Sequence, residues 1–263
     1  MVKRHSLATR AFGAEPGLPD VAGLAAWIAE HRGREADIVT YQLDRSLAPQ
    51  VSAEIGLPCA GGKFYAGRIR QCISGITGNR AVGELHVDTA GVTEDAAGIV
   101  VQKKGAWCAI PAPHVLGIED AHYDDEEEWR AALCEAYSTI MRVMRDTGVA
   151  GHVLIADHMD DAELALLALQ KIFFFSPAPG RGDLANLMEY QKQVAVTKDQ
   201  LETLFDLMNE YTVSKIFVLD PDSASIRLAL SHFDPDQLVA GGYSIDGDES
   251  YWQDLAKSAT YTI

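Results

Sequence analysis

Residues 151–175 read GHVLIADHMDDAELALLALQKIFFF. Two short apolar runs, 152–156 and 172–175, flank a stretch, 161–169, whose apolar residues recur at helical spacing. The runs lack polar alternation, which is what strands covered on both faces require. The same alternation continues as a helix over 183–192, a strand over 194–196 and a helix from Lys198 to about Tyr211, begun by Thr197 with Gln200. A strand over 216–219 and a helix over 223–232 complete it. Strand, helix, strand repetition places the chain in the α/β class, with a largely parallel sheet and helices on both faces.

Upstream, Asp124 with Glu127 predicts a helix running to about Asp146 and closed by Gly148. The first half reads differently. Leu18, Val21, Leu24, Ala25 and Ile28 around Pro19 predict a surface helix with one buried stripe, ended by Gly33. Residues 38–43 are β-branched and aromatic and read as a strand, as does 84–88. Residues 98–101 and 107–110 read as a hairpin turned at Lys103, Lys104 and Gly105. The expected organisation is one globular unit over 1–263, divisible into a mixed strand and hairpin lobe over 1–122 and an α/β lobe over 123–263.

With 38 acids against 22 Lys plus Arg, the formal charge is −16, which opposes the phosphate backbone of nucleic acid. No apolar run approaches the length of a membrane span, because Glu163, Gln170 and Lys171 interrupt the greasiest stretch. The first ten residues lack the apolar core of a secretory signal, although Lys3, Arg4 and Arg10 are compatible with a short organellar presequence. Cys59, Cys72, Cys108 and Cys134 show no two-residue spacing, so free thiols and a cytoplasmic location are expected.

Against this acidic background, residues 55–83 contain no Asp or Glu but hold Lys63, Arg68, Arg70, Arg80 and seven of the 22 glycines. Glycine lets backbone N–H groups approach a ligand, and Arg and Lys supply charge. Gly61, Gly62, Lys63, Arg68 and Arg70 are therefore the expected anion contacts. Arg68 and Arg70 would share one side if the segment is extended. Leu57 and Phe64 stand where a phosphate loop needs Gly and Ser or Thr, so that motif is absent.

Ligands of α/β sheets bind beyond the carboxyl ends of the strands. Asp157 and His158 stand at such an end, and Ser176 and Arg181 lie on a Pro- and Gly-rich loop beside it. Asp157 and His158 are the catalytic candidates. With His86 and Asp88, spaced by two on one strand, they are also the candidates for holding a divalent metal. Asp160, three residues before Glu163, reads as a helix cap. His114, held by Pro111 and Pro113, and His122, in a charged helix start, read as loop and surface residues.

Two functions follow. One is a protein that binds a small anionic molecule, phosphorylated or carboxylated, and performs metal-assisted hydrolysis or group transfer. The other is a non-catalytic assembly protein, a homo-oligomer among the options, whose basic segment meets the acids of a partner subunit.

Overall fold

The computed structural model describes residues 4–31 and 37–262, and eight of its thirteen strands there build two four-stranded parallel sheets. They are β1 Ala8–Ala14, β2 Cys59–Gly61, β3 Trp107–Pro111, β4 His152–Ile155, β5 Ile172–Phe175, β6 Gln193–Thr197, β7 Lys215–Leu219 and β8 Leu238–Ser244. Hydrogen bonds join β2, β3, β4 and β5 into one parallel sheet, and β6, β7, β8 and β1 into another. At the β1–β2 seam the two sheets are linked by a parallel bridge, with Leu57 N–H donating to Thr9 O and Ala11 N–H to Leu57 O, both at 3.0 Å. At the β5–β6 seam a side chain does the same work. Gln191 accepts from Phe174 N–H at 2.9 Å and donates to Phe174 O at 3.2 Å.

The sheet curls into a barrel, because strands far apart in its order touch across the centre. The Phe12 ring of β1 lies 4.8 Å from Phe175 and 5.2 Å from Phe173, both on β5, and 5.4 Å from Phe217 on β7. One layer nearer the amino ends, the Arg10 guanidinium lies 4.5 Å from the rings of Trp107 and Phe173 and 4.7 Å from Phe217. Those four side chains come from β1, β3, β5 and β7, the alternate-strand layering of a (β/α)8 barrel. Gly241 of β8 leaves room for the aromatic cluster, since a β-carbon there would lie 3.0 Å from the Phe12 ring.

The chain is thus an α/β protein of parallel strands flanked by helices, as its second half implies. Phe173, Phe174 and Phe175 are all at most 4% exposed. Phe173 and Phe175 fill the barrel, and alternation turns Phe174 to the helical layer. The strands β1–β3 come from the first half of the sequence and β4–β8 from the second. The segment Arg4–Ser6 pairs antiparallel with Thr260–Thr262. Among the described residues no helix is long and apolar enough to cross a membrane.

The first half corrects three expectations. Residues 38–43 begin a helix, Ile38–Ser52, because Asp37 caps it through the Val39 and Thr40 N–H groups while Thr40 returns a bond to Asp37 N–H. Burial of Val39, Leu43, Leu47 and Gln50 at helical spacing then overrides β propensity. Gln50 locks this helix to β2 by bonding both the N–H and the carbonyl of Cys59 at 2.7 Å. Residues 98–101 belong to the helix Ala90–Gln102, whose Val92, Asp95, Ala96 and Ile99 share a buried face, so no hairpin with 107–110 forms. The first helix, Val21–Glu30, buries none of its residues, and Gly33 lies outside the described residues. The antiparallel pair Ile73–Thr77 and Arg80–Val87 does occur, as an excursion after β2.

His152 opens β4 fully buried, with Nε2 3.1 Å from the Met141 carbonyl and no partner for Nδ1 among the described residues. Burial pulls its pKa down from 6.5 to about 3. The unfolded chain therefore takes up a proton below about pH 6.5 that the folded chain refuses. Stability should fall with acidification from there, by up to about 1.4 kcal/mol per pH unit, until the pH nears 3. Urea midpoints for the wild type and His152→Gln at about pH 7 and about pH 5 check this. The variant should show the smaller loss, and equal losses would exclude His152 as the cause.

Candidate functional site

The residues following the carboxyl ends of the strands assemble at one mouth of the barrel. Glu15, next after β1, accepts the Lys63 N–H at 2.6 Å and the Phe64 N–H at 3.3 Å, and the Tyr243 hydroxyl also donates to it. Burial, followed by the Glu15 charge, pushes the Tyr243 pKa up. Glu15 thereby anchors the 3-10 turn Lys63–Tyr65 that follows β2. Gly62 makes the approach feasible, because a β-carbon there would lie 2.3 Å from Ala14 O and 2.7 Å from Glu15 Oε1. Gly61, at φ +85°, would put a β-carbon 2.3 Å from Ala109 O. Both glycines serve close packing of neighbouring strand ends. The N–H groups of Lys63 and Phe64 meet a carboxylate of the protein itself.

The Lys63 side chain reaches across the mouth to Asp157, just past β4, at 2.5 Å. The Lys63 hydrogen bond holds the Asp157 carboxyl below the usual carboxylate range, against a smaller opposing effect of burial. Both side chains keep substantial exposure, 39% and 58%, so the pair adds little to stability and stays open to a ligand.

His114 lies on the 3-10 turn Pro113–Leu116 after β3, where Pro113 occupies the first position. Its Nδ1 lies 2.9 Å from Glu163 Oε2, and its backbone N–H donates to Glu163 Oε1 at 2.7 Å. Glu163, on the helix Asp161–Leu167, is 5% exposed, a buried carboxylate committed to one imidazole. With Nδ1–H donating to Glu163, Nε2 keeps its lone pair, and the Asp157 N–H points to it at 3.4 Å. The His158 ring lies 4.2 Å from the His114 ring, centroid to centroid. Ends of β2, β3 and β4 thus bring together an ammonium, a carboxylate-oriented imidazole, a second imidazole and Asp157. Farther round, Asp220 after β7 adopts φ +47° and accepts from the Tyr251 hydroxyl at 2.5 Å, with burial raising its pKa.

Other expected site residues lie elsewhere or are engaged. Arg68 and Arg70 are on the helix Ala66–Cys72, which corrects the extended geometry expected for them. Two positions apart on a helix they point to different sides. Arg68 binds Asp95 at 2.7 Å and Asp37 at 2.8 Å, while Arg70 binds the carbonyls of Gly78 and Leu116. Ser176 is buried beyond β5, and Arg181 begins the helix Arg181–Tyr190, exposed and 3.5 Å from Asp206. His86 is exposed on the hairpin, 3.9 Å from Glu84, and Asp88 bonds the Ala90 N–H. Among the described residues no three His, Cys, Asp or Glu side chains converge as a metal site requires. His86 and Asp88, on the hairpin, and Asp157 and His158, after β4, are not gathered into one such cluster. All four cysteines are free and buried, and burial pushes Cys59 and Cys134 up to about 12, which leaves them unreactive.

Asp160 accepts from Glu163 N–H at 3.1 Å and from Arg130 at 2.8 Å. Asp160→Ala should lower stability by about 0.5–2 kcal/mol, as lost caps do. Asp157→Asn should leave the melting temperature nearly unchanged. Thermal unfolding of both variants checks this, and an equal loss would make Asp157 structural.

No protein-family model and no curated protein sequence matches the chain. Solved structures do. A B12-independent methionine synthase from Shewanella sp. W3-18-1, in complex with selenomethionine, superposes with a TM-score of 0.64 at 15% identity, over 97% of this chain and 96% of that one. A putative vitamin-B12 independent methionine synthase from Listeria monocytogenes gives 0.63 at 15% identity, over 97% of each chain. This chain shares their fold. The sequence had singled out Asp157 and His158 by position, but treated His114 as a loop residue. The signal available was its fixed place after a Pro-X-Pro, since Glu163 lies 49 residues away.

Proposed function

We propose that the protein is a small-molecule group-transfer enzyme whose site is the carboxyl-end mouth of the barrel. The observation that carries this reading is the Glu163–His114 pair opening onto the Lys63–Asp157 pair. A buried carboxylate that fixes one imidazole nitrogen leaves the other as a proton acceptor and stabilises the imidazolium that forms. His114 Nε2 takes the proton of the incoming nucleophile, and the leaving group departs with its electron pair. Lys63 holds the anionic group of the substrate, exchanging Asp157 for it. The likeness to methionine synthases supports a transferase, and selenomethionine in the Shewanella complex makes an amino acid the first probe of the substrate class.

The test uses nitrogen-15 spectra of the full chain titrated with methionine and with a panel of phosphorylated and carboxylated metabolites. A bound compound should shift the signals of Lys63, His114 and Asp157. Lys63→Ala should abolish the response, His114→Gln should retain it while removing turnover, and Arg181→Ala should change neither. Shifts confined to other surfaces, or a response intact in Lys63→Ala, would refute the assignment.

A further inference from the structure

At the opposite, amino-end mouth of the barrel lies a cavity of about 1040 Å³. Arg10 forms part of its wall, although the side chain is only 4% exposed. An arginine so buried is normally paired with a carboxylate or fully hydrogen-bonded. Here Nε and Nη2, both closed off from solvent, have no hydrogen-bond partner among the described residues. These two N–H groups lie side by side on one edge of the guanidinium, the edge that accepts two oxygens of a carboxylate or phosphate. The rings of Phe12, Trp107, Phe173 and Phe217, all within 4.9 Å of the guanidinium carbon, hold the cation in place without satisfying those donors.

The cavity rim adds charge of the same sign. Lys171 immediately precedes β5, Lys192 precedes β6, and Lys215 is the first residue of β7, so three successive strands enter the barrel beside a lysine. All three line the cavity, and none is in an ion pair among the described residues. Among the described residues Glu54 is the one acid in the wall. Four cations against one anion is a marked local reversal in a chain of formal charge −16. Between the charges the wall is apolar, with Leu57, Leu169 and Val239 beside the aromatic rings.

We infer that this amino-end cavity is a second ligand site, which takes a small organic anion with its carboxylate or phosphate on Arg10 and its apolar body against the barrel floor. The lysine collar draws the anion in, and Arg10 supplies the paired donors at depth. The site is separate from the carboxyl-end mouth and stands or falls independently of the reaction there.

The probes are benzoate, phenyl phosphate, inorganic phosphate and the uncharged benzamide, titrated into the nitrogen-15-labelled full chain. Benzoate or phenyl phosphate should shift the Trp107 indole and the Lys171 and Lys192 amides with a Kd tighter than about 1 mM. The tighter of the two identifies the head group. Arg10→Gln should weaken that binding by about tenfold or more. Should Arg10→Gln fail to fold, Lys192→Ala with Lys215→Ala, both at the solvent edge, should weaken binding without affecting the melting temperature. Equal binding of benzamide, or of inorganic phosphate, would overturn the inference. So would shifts confined to Lys63 and His114, or the absence of any shift.

Discussion

Phe174→Asp should abolish folding. Phe174 is 1% exposed, and its neighbours Phe173 and Phe175 are fixed inside the barrel by contacts with Phe12 and Phe217, so its own side chain has to lie under the helical layer. Replacing it removes a buried ring, which costs about 3–5 kcal/mol. It also buries a carboxylate, which costs several more unless the group finds a partner. Together these approach the whole stability of a domain, about 5–15 kcal/mol. Circular dichroism and urea titration would show the outcome, and a soluble, cooperatively unfolding variant would mean that β5 is not covered on its outer face. The seam between β5 and β6 sharpens the expectation. Phe174 gives its own N–H and carbonyl to Gln191 rather than to a neighbouring strand, so the barrel has little backbone pairing there to resist the change.

Gly61→Ala should be nearly as damaging, for a backbone reason. Gly61 sits at φ +85°, where a side chain costs about 1–3 kcal/mol. The new carbon would also press on the Ala109 carbonyl oxygen of the neighbouring strand at 2.3 Å, and overpacking of this kind costs about 1–3 kcal/mol more. Because β2 and β3 carry Lys63 and His114 at their ends, the shift that relieves the clash should separate them. Ligand response at the carboxyl-end mouth should therefore weaken together with stability. Gly67→Ala is the control from the same glycine-rich segment. Gly67 is helical with nothing within 4 Å of its missing carbon, and alanine there should raise stability by about 0.5–1 kcal/mol. Equal effects of the two substitutions would show that close packing at Gly61 is not what that glycine provides.

The second half of the fold was legible because its strands are short, uninterrupted apolar runs set between capped helices. β5 reads Ile-Phe-Phe-Phe, and β7 holds Ile-Phe-Val-Leu. β1 was not legible. It reads ATRAFGA, with alanines, a glycine and a charge where a strand pattern should be, and a β-carbon at Gly13 would lie 2.8 Å from that of Ala109 on β3. β8, LVAGGYS, is obscured in the same way by Gly241, whose missing side chain the Phe12 ring occupies. Residues 38–43 misled in the opposite sense, since β-branched residues lost to the Asp37 cap and to one buried helical face. The site was half visible. Asp157 and His158 could be placed by strand-end position alone, while Glu15 with Tyr243 and His114 with Glu163 are pairs that only closure of the barrel brings together. Arg68 drew attention as an isolated cation, yet its partners Asp37 and Asp95 lie outside the acid-free stretch and were invisible to a local count.

The strand order also sets a timetable for synthesis. β1 is the first barrel strand to leave the ribosome, and β8, which pairs with it between Ala8 and Ala14, is the last. Until β8 emerges, β1 has only the short bridge to Leu57 on its other side. The nascent chain therefore carries an open edge on β1 until β8 has been made, and the pairing that closes the barrel is long-range and late. The positive charge of Arg10 in the middle of that waiting strand disfavours its pairing with another apolar strand in the meantime. A residue that lines a ligand cavity in the finished barrel would thus also guard the unfinished one against aggregation.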